Sequence, residues 1–124
     1  MSEKQPTYGN GKICYLEIPA TNIKVSADFY SNCFGWKIRK GTGTHLSFDD
    51  GVGEVSGMWV LDKKPMIEAG IIISIMVDDA KATEKLILAN GGKIVFNMKM
   101  DSGELIAHFI DPAGNIMGIY QPTK

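Results

Sequence analysis

Lys12-Ile13-Cys14-Tyr15-Leu16-Glu17-Ile18, then Val25 to Phe34, then Gly35-Trp36-Lys37-Ile38 run in the order strand, helix, strand. The same order returns in Gly70 to Val77, Asp79 to Asn90 and Gly91-Gly92-Lys93-Ile94-Val95-Phe96. A repeat of this size in one small chain bounds the fold. It predicts two similar βα units packed side by side, with a shared groove where the halves meet.

Working outward, Ile13, Tyr15 and Glu17 share one strand face and Cys14, Leu16 and Ile18 the other. Pro19, which cannot donate to a ladder, is expected to end this strand. Ser26 to Phe34 reads as a short helix with Ala27, Phe29, Tyr30, Cys33 and Phe34 turned inward, and Gly35 as its left-handed stop. Short strands follow at Trp36 to Arg39, Thr44 to Phe48 and Glu54 to Leu61, with turns at Gly41, Gly43 and Asp49-Asp50-Gly51. Lys63-Lys64-Pro65 has the composition of a linker. Gly70 to Val77 is an apolar run suited to a strand buried on both faces.

Asp78 or Asp79 can cap the next helix. There Ala82, Leu86 and Ala89 fall at helical spacing, with Lys81, Glu84 and Lys85 turned to water. Strands at Lys93 to Asn97, Leu105 to Ile110 and Ile116 to Gln121 complete the second unit, the last two joined by Asp111-Pro112-Ala113-Gly114-Asn115. Each half is thus β-α-β-β-β. The expected class is α+β: two βαβββ repeats forming a curved mixed sheet with a concave groove and the helices outside. The expected boundaries are one domain over 1–124, with a loose tail at 1–11, a first module at 12–62 and a second at 69–122.

The chain has 124 residues, enough for one domain with a core. Its 13 Lys+Arg against 14 Asp+Glu give a net charge of −1, which makes no case for nucleic acid or an anionic membrane as the main partner. No apolar run approaches the roughly 20 residues of a membrane helix. The polar start lacks a signal-peptide core, so a cytoplasmic location is expected. Cys14 and Cys33 have no CxxC or metal spacing and read as small core residues.

The pairs Phe29-Tyr30 and Phe34-Gly35-Trp36, then Val77-Asp78-Asp79, Gly91-Gly92-Lys93, and Asp111-Pro112-Ala113-Gly114-Asn115 followed by Gly118, resemble the vicinal oxygen chelate superfamily. That group includes glyoxalase I, bleomycin- and fosfomycin-resistance proteins and extradiol dioxygenases. The likeness covers about residues 12–122 and is nearest to the small single-domain glyoxalase-like subgroup. Its enzymes hold one divalent metal on the concave face with His or Gln, Glu, His and Glu. The resemblance carries those positions onto Ile13 in the first strand, Gly57 or Met58 in the fourth, Ile72 in the fifth and Gly118 in the last. None of these side chains is a ligand for zinc or nickel. The resemblance therefore implies the fold and a pocket, while metal-dependent glyoxalase I or dioxygenase chemistry is unsupported.

By the same analogy Tyr15 and Glu17 look into the groove, with Ser74 and Met76 as their counterparts and Tyr120 on a face with Ile116 and Gly118. Tyr15 and Glu17 are the candidate catalytic pair, since a carboxylate on an apolar wall can serve as acid or base; the plainer reading gives Glu17 a solvated or ion-paired strand end. Met58 and Trp59 are adjacent, so one of them lines the groove, and Tyr15, Trp59 and Tyr120 could form an aromatic wall. His45 and His108 read as structural. No nucleophile elbow or phosphate loop is visible. The expectation is a small organic ligand bound or transformed without metal or other cofactor, by a homodimer. The alternative is a non-enzymatic protein that sequesters a drug or metabolite.

Overall fold

The computed structural model describes residues 5–68 and 70–123. Residues 1–4 of the expected tail and position 69, where the second module was expected to open, lie outside the described residues. The contacts divide the chain into two compact units, residues 1–64 and 65–124.

The first unit contains β1 (Tyr15–Pro19), α1 (Ile23–Phe34), β2 (Lys37–Lys40), β3 (Leu46–Asp49) and β4 (Ser56–Val60). Its sheet runs β1-β4-β3-β2, with β1 parallel to β4 and the other pairs antiparallel. Strand β1 starts two residues later than Ile13, and Pro19 belongs to it, paired with Val60. Proline is tolerated there because β1 is an edge strand and only one side of its backbone is bonded. Helix α1 starts three residues before Ser26, because Asn22 caps it: the Asn22 side chain accepts from the Val25 N–H at 3.1 Å. Gly35, with φ 70°, closes it in the left-handed region.

A stack of rings fills the space between α1 and its sheet. Tyr30 lies against Trp36 with centroids 4.7 Å apart, Trp36 against Phe48 at 4.4 Å, and Phe48 against Trp59 at 4.9 Å. All four side chains are buried. Gly57 has no room for anything else: a Cβ there would sit 2.2 Å from the Leu16 carbonyl oxygen and 2.5 Å from the Phe48 ring.

The second unit repeats the order with β5 (Ser74–Met76), α2 (Ala80–Ala89), β6 (Lys93–Lys99), β7 (Leu105–Ile110) and β8 (Ile116–Gln121). Its sheet runs β5-β8-β7-β6, again with one parallel pair, β5 to β8. The α+β class and the doubled βαβββ order are as expected. The apolar run from Gly70 is not. Only Ser74–Met76 is strand, and Ile71 and Met76 are exposed at 75% and 70%. β5 is a three-residue edge strand paired only with β8, so hydrophobicity alone overstates its burial.

Helix α2 is also rotated from the expected face. Ala82, Leu86 and Ala89 are exposed, and Ala80, Thr83 and Ile87 are buried. Thr83 can enter the core because its hydroxyl donates to the Asp79 carbonyl at 2.9 Å. Asp79 caps the helix through the Ala82 N–H, as its sequence position predicts. Opposite α2 lie Ala107, Phe109, Met117 and Ile119, all buried. The turn before β8 is tied by the buried Asp111, whose carboxylate accepts the N–H groups of Ala113, Gly114 and Asn115 and the Asn115 amide.

Candidate functional site

With the helices on one face of each sheet, strand alternation and register decide what the other face presents. In the first unit, pairing across the sheet gives a row Tyr15, Ser56, Asp49, Lys37 and beside it a row Glu17, Met58, Ser47, Arg39. This face is polar and internally paired. Asp49 accepts from Arg39 at 3.0 Å and from the Ser56 hydroxyl at 2.8 Å. Glu17 is half exposed, with the Lys63 ammonium 3.9 Å away, the surface ion pair of the plainer reading.

The corresponding rows of the second unit are of another kind. One reads Phe96, His108, Gly118, Ser74, and the next Met98, Ile106, Tyr120, Met76. Phe96 and Met98 are exposed at 42% and 45%, and the Phe96 and His108 rings are 5.1 Å apart. The same backbone frame thus carries charges on one sheet and an apolar, partly aromatic surface on the other. Its exposed apolar side chains, beside polar groups, make this face the candidate site.

At the end of the second face, the Tyr120 hydroxyl donates to Glu104, and Ser102 donates to the other carboxylate oxygen at 2.6 Å. The Ser102 and Tyr120 hydrogen bonds hold the Glu104 carboxyl below its ordinary pKa, and the bond to Glu104 pushes the Tyr120 phenol above its own. The pair is therefore a carboxylate and a phenol throughout the neutral range. It offers hydrogen bonds there rather than a titrating acid or base.

Tyr120, Ser74 and Met76, named from the sequence, share this one face. Tyr15, Glu17 and Met58 share the polar face of the first unit. Of the adjacent pair Met58 and Trp59, Met58 takes that face, while Trp59 is fully buried on the α1 side and is no part of an exposed aromatic wall. Cys33 is buried, and burial pushes its thiol up to about 11; Cys14, expected in the core, is exposed because it precedes β1. Glu104, Phe96 and Met98 were not singled out from the sequence. The signal for Glu104 was register alone: sixteen residues separate it from Tyr120, and only the β7–β8 hairpin brings them together.

The positions that the resemblance assigns to a metal do not fit one. Ile13 is 76% exposed, Gly57 faces the α1 ring stack, and Ile72 packs on Gly118, its methyl 3.1 Å from where a Cβ would be. The β5–β8 and β1–β4 registers make Ser56, rather than Gly57 or Met58, the counterpart of Gly118. Among the described residues, no three His, Cys, Asp or Glu side chains come together as a metal site would need.

Two βαβββ units, each with one parallel strand pair and a helix on one face, define the class. A family model described as the Glyoxalase/Bleomycin resistance protein/Dioxygenase superfamily matches residues 12–119, and the chain belongs to that superfamily. A glyoxylase-like domain-containing protein of Didymella fabae is 36% identical over 91 residues, 68% of this chain and 71% of that protein. Among solved structures, the fosfomycin resistance protein FosX of Mesorhizobium loti matches with a TM-score of 0.72 at 11% identity, covering 94% of this chain and 95% of that one. TnmS3, an antibiotic binding protein of Streptomyces sp. CB03234, matches with a TM-score of 0.67 at 20% identity, covering 94% of this chain and all of that one (100%). At these identities the two structures speak to the fold. No helix among the described residues is long and apolar enough to cross a membrane.

Proposed function

We propose that this chain is a metal-independent binding protein for a small organic molecule, held on the face of the second sheet turned away from α2. The observation that carries the reading is the pair of rows Phe96, His108, Gly118, Ser74 and Met98, Ile106, Tyr120, Met76. Phe96, Met98 and Met76 supply apolar contact, and Tyr120 with Glu104 supplies a fixed polar end that sets orientation. Binding is favoured over catalysis by the directions of the two shifts. A general acid or base works best with a pKa near the operating pH, and Glu104 and Tyr120 are each moved away from neutrality. Two proteins of similar fold are named for antibiotic binding and for fosfomycin resistance, which fits a small-molecule role.

The test is a thermal-shift titration with 1-naphthol, an aromatic probe with one hydroxyl. Binding to the native state raises the melting temperature with probe concentration. The rise is expected to shrink in Phe96→Ala and Tyr120→Phe and to persist in Tyr15→Phe and Glu17→Ala. Loss confined to the last two variants would move the site to the first sheet and defeat the reading. We also read the chain as a homodimer, because β6 is a seven-residue edge strand with Val95 exposed beside its unbonded backbone. Light scattering should give twice the 13.5 kDa chain mass.

A further inference from the structure

Away from the face just described, a cleft of about 310 Å³ lies where the start of α2 meets the far ends of β6 and β7. It is lined by Lys81 and Glu84 from the helix and by Asn97, Lys99 and Leu105 from the sheet, with Met98 and Ile106 between them. Asn97, Lys99 and Leu105 alternate to the α2 side, whereas Met98 and Ile106 belong to the rows of the opposite face.

The charges in this cleft are not used by the fold. No hydrogen bond or ion pair engages the side chains of Lys81, Glu84, Asn97 or Lys99 among the described residues. Lys81 stands in the first turn of α2, three residues before Glu84, so the two share a helix face at the mouth of the cleft. The two ammonium groups of Lys81 and Lys99 favour oxyanions, and the single carboxylate of Glu84 favours one positive group. The volume is at the lower end of small-ligand sites.

From this balance we propose a second ligand site in the α2–β6 cleft, for a small zwitterion with surplus negative charge, the chemistry of an acidic amino acid. Lys81 and Lys99 take the two carboxylates, Asn97 adds an amide donor, Glu84 takes the ammonium, and Leu105 carries the short methylene chain. The site is independent of the proposed function of the opposite face.

Calorimetric titration of the full chain with L-glutamate, and with glutarate as the analogue lacking the ammonium, tests it. The expected Kd for L-glutamate is on the order of 1 mM, the range open to a few solvated charge pairs. Lys81→Met and Lys99→Met should each weaken it by about two- to fivefold. Glu84→Gln should abolish the preference for L-glutamate over glutarate, and Tyr120→Phe should change neither ligand. The methyl signals of Leu105, followed by NMR in the same titration, should move. Lys81 and Lys99 are exposed and Glu84 and Tyr120 partly so, and a cooperative unfolding transition for each variant checks that it keeps the fold. Failure of L-glutamate to bind at about ten times that Kd, a preference for glutarate, or unchanged binding in both lysine variants would overturn the proposal.

Discussion

Replacing Gly118 by alanine probes the centre of the proposed binding face. Gly118 stands between His108 and Ser74 in the first of the two rows. A Cβ built there lies 2.6 Å from the Ser74 hydroxyl oxygen, 3.1 Å from an Ile72 methyl and 3.4 Å from the Ala107 carbonyl oxygen. The backbone of Gly118 is not left-handed, so alanine meets crowding rather than a forbidden dihedral. Crowding of this kind costs about 1–3 kcal/mol. The reduced freedom of the unfolded chain returns about 0.4–1 kcal/mol. Taking the middle of each range, the net loss is about 1.3 kcal/mol, read in chemical denaturation as a lower midpoint at unchanged slope. Because the nearest atom is the tip of a rotatable side chain, Ser74→Ala should recover part of the loss. Ser74 is exposed, so that change alone should stay within about 0.5 kcal/mol. A double-mutant cycle is expected to give a coupling of at least about 0.5 kcal/mol. Gly118→Ala at native stability, or strict additivity with Ser74→Ala, would refute the packing of β5 on β8 from which the rows are read.

Gly57→Ala should be costlier than Gly118→Ala, by about 3 kcal/mol or more against wild type in the same assay, since backbone and a buried ring stand in the way. The Glu104–Tyr120 pair predicts two pH limits. Glu104, lowered in the fold, contributes stability above its unfolded value near 4.5, and this is lost as pH falls through the lower folded value. Tyr120, raised in the fold, contributes below its unfolded value near 10, and this is lost as pH rises through the higher folded value. Tyr120→Phe should weaken both limbs of a pH–stability profile, leaving on the alkaline side the loss that comes from the buried Cys33 thiol. With Cys14 exposed and the Cys33 thiol pushed up to about 11 by burial, a disulfide reagent at pH 8 should label one thiol quickly and the second only on denaturation.

The repeat was legible because its signals are local. The capping of α2 by Asp79 and the Asp111 turn follow from side chains reaching backbone a few residues away, and the stop at Gly35 from a left-handed backbone that glycine adopts freely. The inward rings of α1 were legible for the same reason. What could not be read was anything set by register. Ala82 and Leu86 satisfy a helical period as well as Thr83 and Ile87 do, and only packing on β7 and β8 decides between them. Tyr15, Glu17, Ser74, Met76 and Tyr120 were recognised as strand residues of matching faces. The contrast between a charged face and an apolar one emerges only when each is lined up with its neighbours across the sheet. Glu104 lies just before a strand, in a turn, and its role depends on a partner in the next one.

The methionines give the most direct test of where a ligand sits. Met76 and Met98 lie on the proposed face, Met58 on the polar face of the first sheet, and Met117 is buried against α2. With methyl-labelled methionine, NMR titration with 1-naphthol is expected to shift the Met76 and Met98 signals together and leave Met58 and Met117 in place. Movement of Met58 with Met76 and Met98 unchanged would contradict the account.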